Sequence, residues 1–495
     1  MDSSAQPDRF SNLPDVLLVL IISCLPFKDC IKTSVLSKRW RYLCLQTTNV
    51  SFKESDFVNP TLDETSWISA RHAFIDYACR WVDRIQDQDV ESFEISISRP
   101  SIYMSVIESL IAFAVGKQVK KLVLDFSKPI WKTTRDVHEY LDLTVEVPES
   151  VYNLTSLESL TVNACKMFDP LRFKDLGIFK SLSLGYMRLE NVESLLSKAS
   201  RLESLSINEC WGLDFKKIVG NMREVAFKNC DFPLMSFSFD LPKVDIFKYS
   251  GHIFCLDFEK ENMEIKEVYL DFGVEGEYED EPTESHIAQG EIVCNLLNEL
   301  RSAKTLTVCP YLLQVIQECH DPDFMLRDLE AQHLVLRTKL HPKEFMGIRI
   351  LFDKCLVLQT LTFDYVPPNP SFCSETISYR GIYPQTHWLQ NISYKCLIKT
   401  LKAVVFKKFT GSLDQLHMLN FLVRTGSGWV RSLERVDLYM PNGLEKDEMR
   451  VAREGATMLQ RKTNLARIIL HSPCDANGDT RPIRIPKPNA KYHHD

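Results

Sequence analysis

Two stretches of the chain, LESLTVNAC at 157–165 and LESLSINEC at 202–210, are nearly identical although they lie far apart. A third stretch, MREVAFKNC at 222–230, keeps the same apolar and cysteine positions. Alternate side chains of a β-strand point to opposite faces, so the fourth and sixth residues of each stretch face one side. The pattern therefore predicts short strands that recur along the chain and bury one face in a shared core.

This spacing matches the L-x-x-L-x-L-x-x-N/C skeleton of a leucine-rich repeat. In that skeleton the ninth residue stands where the chain turns off the strand, so Cys165, Cys210 and Cys230 are predicted to be buried, unreactive thiols rather than zinc ligands. We interpret 89–369 as an irregular leucine-rich-repeat solenoid, a horseshoe with insertions. Weaker copies of the skeleton begin near Val90, Val119, Phe179, Leu241, Ile265, Ala303, Ala331, Leu358, Leu401, Leu433 and Leu465.

Two helical regions precede the repeats. Residues 13–45 read as three short helices, with Pro14 in the first turn, Pro26 ending that helix and Ser37 as the N-cap of the third. Within 60–88 an amphipathic linking helix is predicted from apolar residues at three- and four-residue steps. Those residues are Trp67, Phe74, Ala78, Trp81 and Ile85.

The amino-acid sequence of the first helical region is distinctive. It contains Leu13-Pro14-Asp15 followed by Leu17 and Leu18, then LPFKD at 25–29, then TSVLSKRWR at 33–41. This sequence resembles the plant form of the F-box domain, and we place the domain at 8–52. The resemblance implies a Skp-type adaptor as partner and, through it, the cullin and RING subunits of a ubiquitin ligase. It also implies that the adaptor-facing surface, or the core beneath it, consists of Leu13, Pro14, Leu17, Ile21, Pro26, Leu36, Trp40 and Leu43.

The first helix departs from the family pattern. Val16, Val19 and Leu20 stand where related boxes often carry polar residues. A helix that is apolar on every side has no solvent face and needs extra cover. We expect the Trp67 helix to supply that cover.

The end of the chain carries a second resemblance. Cys396-Leu397, Leu401-Lys402, Val405-Phe406, FTG at 409–411 and LERV at 433–436 resemble the FBD domain of plant F-box proteins. We place an FBD-like cap at 370–472 and a flexible tail at 473–495. The fold class expected for the whole chain is α/β: a three-helix F-box, then the solenoid, then the cap.

Composition excludes several functions. The chain has 495 residues and a formal net charge of -7, which disfavours nucleic acid and anionic membranes as partners. The apolar run 16–22 is too short to span a bilayer.

The fifteen scattered cysteines suit a reducing compartment, so we expect an intracellular protein of the nucleus or cytoplasm. The acidic run 275–284 reads as a solvated insertion.

The sequence contains no phosphate-binding loop, zinc-protease helix or nucleophile elbow. We therefore expect no catalytic residue, no metal and no cofactor; His493-His494 lacks a third placed ligand. The expected function is target recognition for a Skp–cullin–F-box ubiquitin ligase. Two alternatives remain open: a repeat scaffold or inhibitor without ubiquitination, and a small-molecule receptor of the F-box type. The box and the repeats are expected to bury separate cores, so that deletion of 1–50 leaves a folded protein.

Overall fold

The computed structural model describes residues 10, 12–58, 64–128, 145–166, 168–173, 176–213, 216–232, 236–259, 264–275, 284–367, 394–428, 432–463, 466–473 and 480–485. The chain divides into two compact units. The first comprises Met1–Met222 and Cys230–Leu234, and the second comprises Arg223–Asn229 and Met235–Asp495. The division lies inside 89–369, which the sequence analysis treats as one solenoid.

The first unit begins with the three predicted helices, α1 (Asp15–Ser23), α2 (Phe27–Lys32) and α3 (Lys38–Leu43). Pro14 and Pro26 immediately precede α1 and α2, where the missing proline N–H removes no helical hydrogen bond. Ser37 caps α3 as predicted, because its Oγ accepts a hydrogen bond from the Trp40 N–H at 3.3 Å. The later helices of this unit are α4 (Glu64–Arg84), α5 (Met104–Gly116), α6 (Glu149–Tyr152) and α7 (Val192–Lys198).

Six strands of the first unit pair in parallel and in chain order. They are β1 (Asn49–Lys53), β2 (Ser92–Ser96), β3 (Lys121–Asp125), β4 (Ser159–Asn163), β5 (Ser181–Gly185) and β6 (Ser204–Asn208); β7 is Lys217–Val219. The register aligns the repeated apolar residues into rows, one of which is Val50, Phe93, Leu122, Leu160, Leu182 and Leu205. Every member of this row is buried. The mixed α/β fold with parallel repeated strands is therefore confirmed.

The chain leaves several strands through a residue in the left-handed region. Ala164 (φ 60°) and Glu209 (φ 51°) each stand directly before a repeat cysteine. The Cys210 thiol donates to the Asn208 carbonyl at 3.2 Å, and the Cys230 thiol donates to the Ile207 carbonyl at 3.2 Å. Cys165, Cys210 and Cys230 are all buried, as predicted. Burial raises the pKa of the Cys165 and Cys210 thiols well above its usual range.

The stripe predicted for the linking helix is buried except at Trp67, which is half-buried, and its last member, Ile85, directly follows α4. Phe74, Ala78 and Ile85 are fully buried, and Trp81 nearly so. A buried ion pair joins Arg71 of this helix to Glu54, which follows β1. Glu54 Oε2 also accepts the Ser98 N–H at 2.5 Å, just after β2. This charged cluster fastens α4 to the ends of the first two strands.

The box and the repeats do not bury separate cores, so that expectation is wrong. The ring of Phe27, on α2, packs edge-on against Phe52 of β1 at 5.5 Å and against Trp81 of α4 at 5.4 Å. β1 itself begins inside the predicted box and pairs with β2. Full burial of one phenylalanine side chain stabilises a fold by roughly 1.5–3 kcal/mol. The short box gains a core by sharing that of the first strands.

The second unit repeats the strand pattern. Its main sheet pairs β8 (Glu224–Lys228), β10 (Ile246–Ser250), β12 (Glu267–Asp271), β13 (Thr305–Val308), β14 (His333–Thr338), β15 (Thr360–Tyr365), β16 (Ala403–Lys407), β17 (Arg435–Tyr439) and β18 (Arg467–His471) in parallel. A separate pair joins β9 (Ser236–Asp240) to β11 (Cys255–Phe258). Its helices are α8 (Glu284–Glu299), α9 (Pro310–Val315), α10 (Pro322–Met325), α11 (Phe345–Lys354), α12 (Lys395–Lys399), α13 (Leu413–Gly428) and α14 (Lys446–Arg461).

One predicted repeat start is displaced. The copy expected at Leu241 would place Val244 and Ile246 in the strand core. Instead the strand buries Phe247 and Tyr249, with Val244 in the first position of the repeat, and Ile246 is only half-buried. Both registers fit the apolar template, and the one that buries the larger aromatic side chains is adopted.

The C-terminal residues continue the same sheet as far as they are described. In the predicted cap, 370–393 lie outside the described residues, and β16–β18 extend the parallel pattern from β15. Pro482–Arg484 forms a further strand, β19, antiparallel to β18. The flexible tail predicted from 473 is therefore wrong at these residues, because they cover the edge of β18 with backbone hydrogen bonds. Of the predicted acidic insertion, 276–283 lie outside the described residues.

Candidate docking surface on the N-terminal helices

Helix α1 turns one stripe of its apolar residues inward. Leu18 and Ile22, one turn apart, are completely buried. Leu17 and Ile21, on the neighbouring stripe, are exposed. The helix therefore uses only part of its apolar surface to form the core of the box.

An ion pair holds α3 against the start of α1. The Arg39 guanidinium lies 2.6 Å from Asp15 Oδ1 and donates to the Leu13 carbonyl at 2.5 Å. The Leu13 N–H donates to the Phe10 carbonyl at 3.1 Å, which places Phe10 beside the same segment. The Trp40 ring in turn packs edge-on against Phe10, with centroids 6.5 Å apart.

The structure sorts the eight residues predicted for the adaptor surface into three groups. Pro14, Leu17, Ile21, Pro26 and Leu36 are exposed, Leu13 and Trp40 are half-buried, and Leu43 is completely buried. Leu43 thus belongs to the core beneath the surface, and the first five are available to a partner.

Further apolar side chains are exposed on the same helices. Val35 is 82% exposed, Val16 71%, Tyr42 62% and Leu20 59%. The expectation that the Trp67 helix covers α1 is wrong, because Val16 and Leu20 remain in solvent. Exposed apolar patches of this kind mark interaction sites in soluble proteins. Val35 and Tyr42 were missed because the sequence gives no direction to side chains on such short helices.

The two buried thiols of the box, Cys30 and Cys44, are not nucleophiles. Burial raises the pKa of Cys30 to about 12, and the nearby Cys44 thiol adds to that shift. The Cys44 pKa is also raised by burial. Among the residues that the structure describes, no cluster of His, Cys, Asp or Glu side chains is arranged to hold a metal ion. The exposed surface of the box helices therefore offers a partner mainly apolar contact area.

The strands present a second type of surface on the side away from their buried residues. On β4–β6 this open face carries only small uncharged residues: Ser159, Thr161, Asn163, Ser181, Ser183, Gly185, Ser204, Ser206 and Asn208. A Cβ at position 185 would collide with the Asn163 side chain, so a larger residue there would require Asn163 to move. On β16–β18 of the second unit the open face includes the charged residues Lys407, Arg435, Asp437 and Arg467.

No helix within the described part of the chain combines the length and apolarity needed to cross a membrane. Taken together, the helices and strands define a class of protein: repeated parallel strands with an apolar helical docking element at the N-terminal end.

Comparison with known proteins identifies the family. Residues 10–48 match the model of the F-box domain. A putative F-box/LRR-repeat protein of Arabidopsis thaliana is 48% identical over 478 residues, covering 95% of this chain and 98% of its own length. A second is 48% identical over 468 residues, covering 94% and 98% respectively. The chain therefore belongs to the plant family of F-box/LRR-repeat proteins, which indicates the general role of an F-box substrate adaptor.

Relatives with FBD in their names are more distant. An F-box/FBD/LRR-repeat protein of Arabidopsis thaliana is 28% identical over 228 residues, covering 43% of this chain and 45% of its own length. F-box domains generally bind Skp-type adaptors.

Proposed function

We propose that the chain is the substrate-recognition subunit of a Skp–cullin–F-box ubiquitin ligase. Its box binds the Skp-type adaptor, and through that adaptor the cullin and RING subunits, while the open faces of its strands bind the target protein. The chain contributes no catalytic residue of its own. Ubiquitin transfer then occurs on a partner enzyme, and this chain accelerates it by holding the target close.

One observation carries the proposal: apolar side chains with no core to join are concentrated on the box helices. Leu36 and Val35 precede α3, and Leu17 and Ile21 lie on α1, all of them exposed. Leaving such a surface in water is unfavourable, and docking to a partner removes it. We also propose that the region 370–472 forms an FBD-like end to the repeats. The protein is proposed to act inside the cell.

The test is capture of a plant Skp-type adaptor by the purified full-length chain. Leu36→Ala combined with Trp40→Ala should abolish capture, because truncation of central aromatic and apolar anchors costs about 2 kcal/mol or more each. Ile102→Ala is the matched control, since Ile102 is also exposed but lies outside the box. Equal capture by the double variant and the wild type would overturn the assignment.

A cellular measurement then separates a ligase subunit from a scaffold. Proteins labelled in proximity to the wild-type chain, with the proteasome blocked, should carry more ubiquitin than those labelled by the double variant. If both chains label the same proteins with the same ubiquitin content, the chain binds them without directing their ubiquitination.

A further inference from the structure

Two arginines stand side by side on the open face of the last parallel strands. The register aligns Arg435 of β17 with Arg467 of β18, and neighbouring strands lie about 4.8 Å apart. Both side chains are exposed. Like charges directly opposite one another destabilise a sheet, so this pair has a cost to folding that an anion would offset.

One carboxylate, Asp437, pairs with Arg435 and so balances only one of the two arginine charges. Asp437 is 6% exposed, and its two oxygens are already used. Its Oδ2 lies 3.1 Å from Arg435 Nε, and its Oδ1 lies 3.1 Å from His471 Nε2. Within the described part of the chain, Arg467 makes no ion pair. The arginine row therefore keeps a positive charge.

More basic residues lie around the arginine row. Lys402 is exposed immediately before β16, and Lys407 is exposed at its end. A cleft of about 440 Å³ opens beside the starts of these strands, and its lining includes Lys399, Lys402, Ser432 and Glu434. Glu434 is the acidic member of this lining. The surface is thus basic in a chain whose net charge is -7.

Two apolar residues flank Asp437 on the open face. Val405 and Ile469 occupy the middle positions of β16 and β18, in register with Asp437, and both are half-buried. Beyond them the Tyr439 and His471 rings stack at 4.0 Å. The open-face positions along β18 are Arg467, Ile469 and His471, so an extended chain laid along this strand would meet basic and apolar positions in alternation.

We propose that the open face of β16–β18, with the adjoining cleft, binds an extended acidic segment of the target protein that also carries apolar side chains. Its carboxylates pair with Arg435, Arg467 and Lys402, and its apolar side chains pack on Val405 and Ile469. This inference deepens the proposed function, because it names the chemistry of the target. Charge-assisted hydrogen bonds from arginine to carboxylate are the strongest contacts available on such a face.

The test measures fluorescence anisotropy of a short labelled peptide in which glutamate alternates with valine, added to the full-length chain without adaptor. Arg435→Glu with Arg467→Glu should weaken binding at least about tenfold, which corresponds to about 1.4 kcal/mol. The same peptide with lysine for glutamate should bind the charge-reversed variant better than the wild type. Binding to the wild type should weaken as salt is added.

The matched control is Arg450→Glu with Arg453→Glu, which makes the same change in charge on the exposed side of α14 in the same unit. It should leave peptide affinity within about twofold of the wild type, since long-range charge effects are screened by salt. Arg435→Gln with Arg467→Gln is the second variant, in case charge reversal unfolds the sheet, and its thermal unfolding is recorded in parallel. This variant should still weaken binding, while remaining folded.

Two results would overturn the proposal: unchanged peptide affinity in a folded double variant, or tighter binding of single-stranded RNA than of the acidic peptide. Because no adaptor is present, failure of adaptor capture leaves this assay unaffected. The two proposals therefore fail separately.

Discussion

The box helices and the repeat strands of the first unit are both rich in apolar residues, but they direct these residues differently. In β4 and β6, Leu160 and Leu205 are completely buried in the shared row. In the box, Val35 and Val16 are largely in solvent. The difference teaches that apolar content alone does not separate a core from an interface. What separates a core from an interface is the direction in which the apolar side chains point. Alternation along a strand fixes this direction in the sequence, whereas a helix that is apolar on every side leaves it undetermined.

The sharpest test of this contrast is removal of the box. A chain lacking residues 1–50 loses Phe27 from the shared core and Asn49 and Val50 from β1. We expect this truncated chain to unfold or aggregate, because loss of one buried phenylalanine alone costs about 3–5 kcal/mol. Circular dichroism and gel filtration measure the outcome. A truncated chain that stays monomeric with wild-type ellipticity would restore the view that the box has a separate core.

The next largest effect is expected in the strands. Leu205→Ala should lower the free energy of unfolding by about 2–5 kcal/mol, since Leu205 is completely buried and a cavity remains. Urea denaturation measures this change. At a temperature where the variant is folded, adaptor capture should equal that of the wild type. Loss of capture by the folded variant would mean that the strands themselves contact the adaptor.

A smaller change in stability is expected when exposed residues of the box are substituted. Val16→Ser with Leu20→Ser replaces two exposed apolar residues of α1, so the free energy of unfolding should change by no more than about 0.5 kcal/mol each. Adaptor affinity should nevertheless fall, because both side chains belong to the exposed apolar surface. Urea denaturation and adaptor titration are run on the same sample. A large loss of stability would show that these residues are covered by the chain itself.

The smallest perturbation is chemical labelling. Iodoacetamide at pH 8 should modify the exposed Cys24 and Cys255 first and leave Cys165 and Cys210 intact in the native protein. Burial raises the pKa of the latter two thiols, so at pH 8 they are protonated as well as inaccessible. Mass spectrometry of the digested protein measures the order in which the cysteines are modified. Early modification of Cys165 or Cys210 would contradict the assignment of these residues to the strand core.

The strands were predictable because their signal is local. The offsets of the L-x-x-L-x-L pattern place Leu122, Leu334 and Val436 in the core as observed. β1 was missed because Thr47, a buried residue whose Oγ1 donates to the Asn49 carbonyl at 3.2 Å, replaces the first apolar residue of the pattern. Near Leu241 two registers fit equally well, and only packing of Phe247 and Tyr249 decides between them.

The docking surface was predictable in part. The F-box resemblance supplied Leu17, Ile21 and Leu36, which the structure places in solvent, and it supplied Leu43, which the structure places in the core. It could not supply Val16, because the sequence shows only that α1 is apolar all around. Which stripe faces inward depends on contacts with α3, and the Arg39–Asp15 pair that sets those contacts joins residues far apart in the chain.

The sharing of Phe27 between the box and the strands has a consequence for the geometry of ubiquitin transfer. Domains joined by a linker can reorient, and a target held by one could then present many of its lysines to an enzyme held by the other. Here the F-box match ends at residue 48 and β1 begins at Asn49, so no linker intervenes between the box and the first strand of the first unit. In the proposed ligase, any part of a target that docks on the strands of the first unit is therefore held in a fixed orientation to the box, which restricts the target lysines within reach of the transferring enzyme.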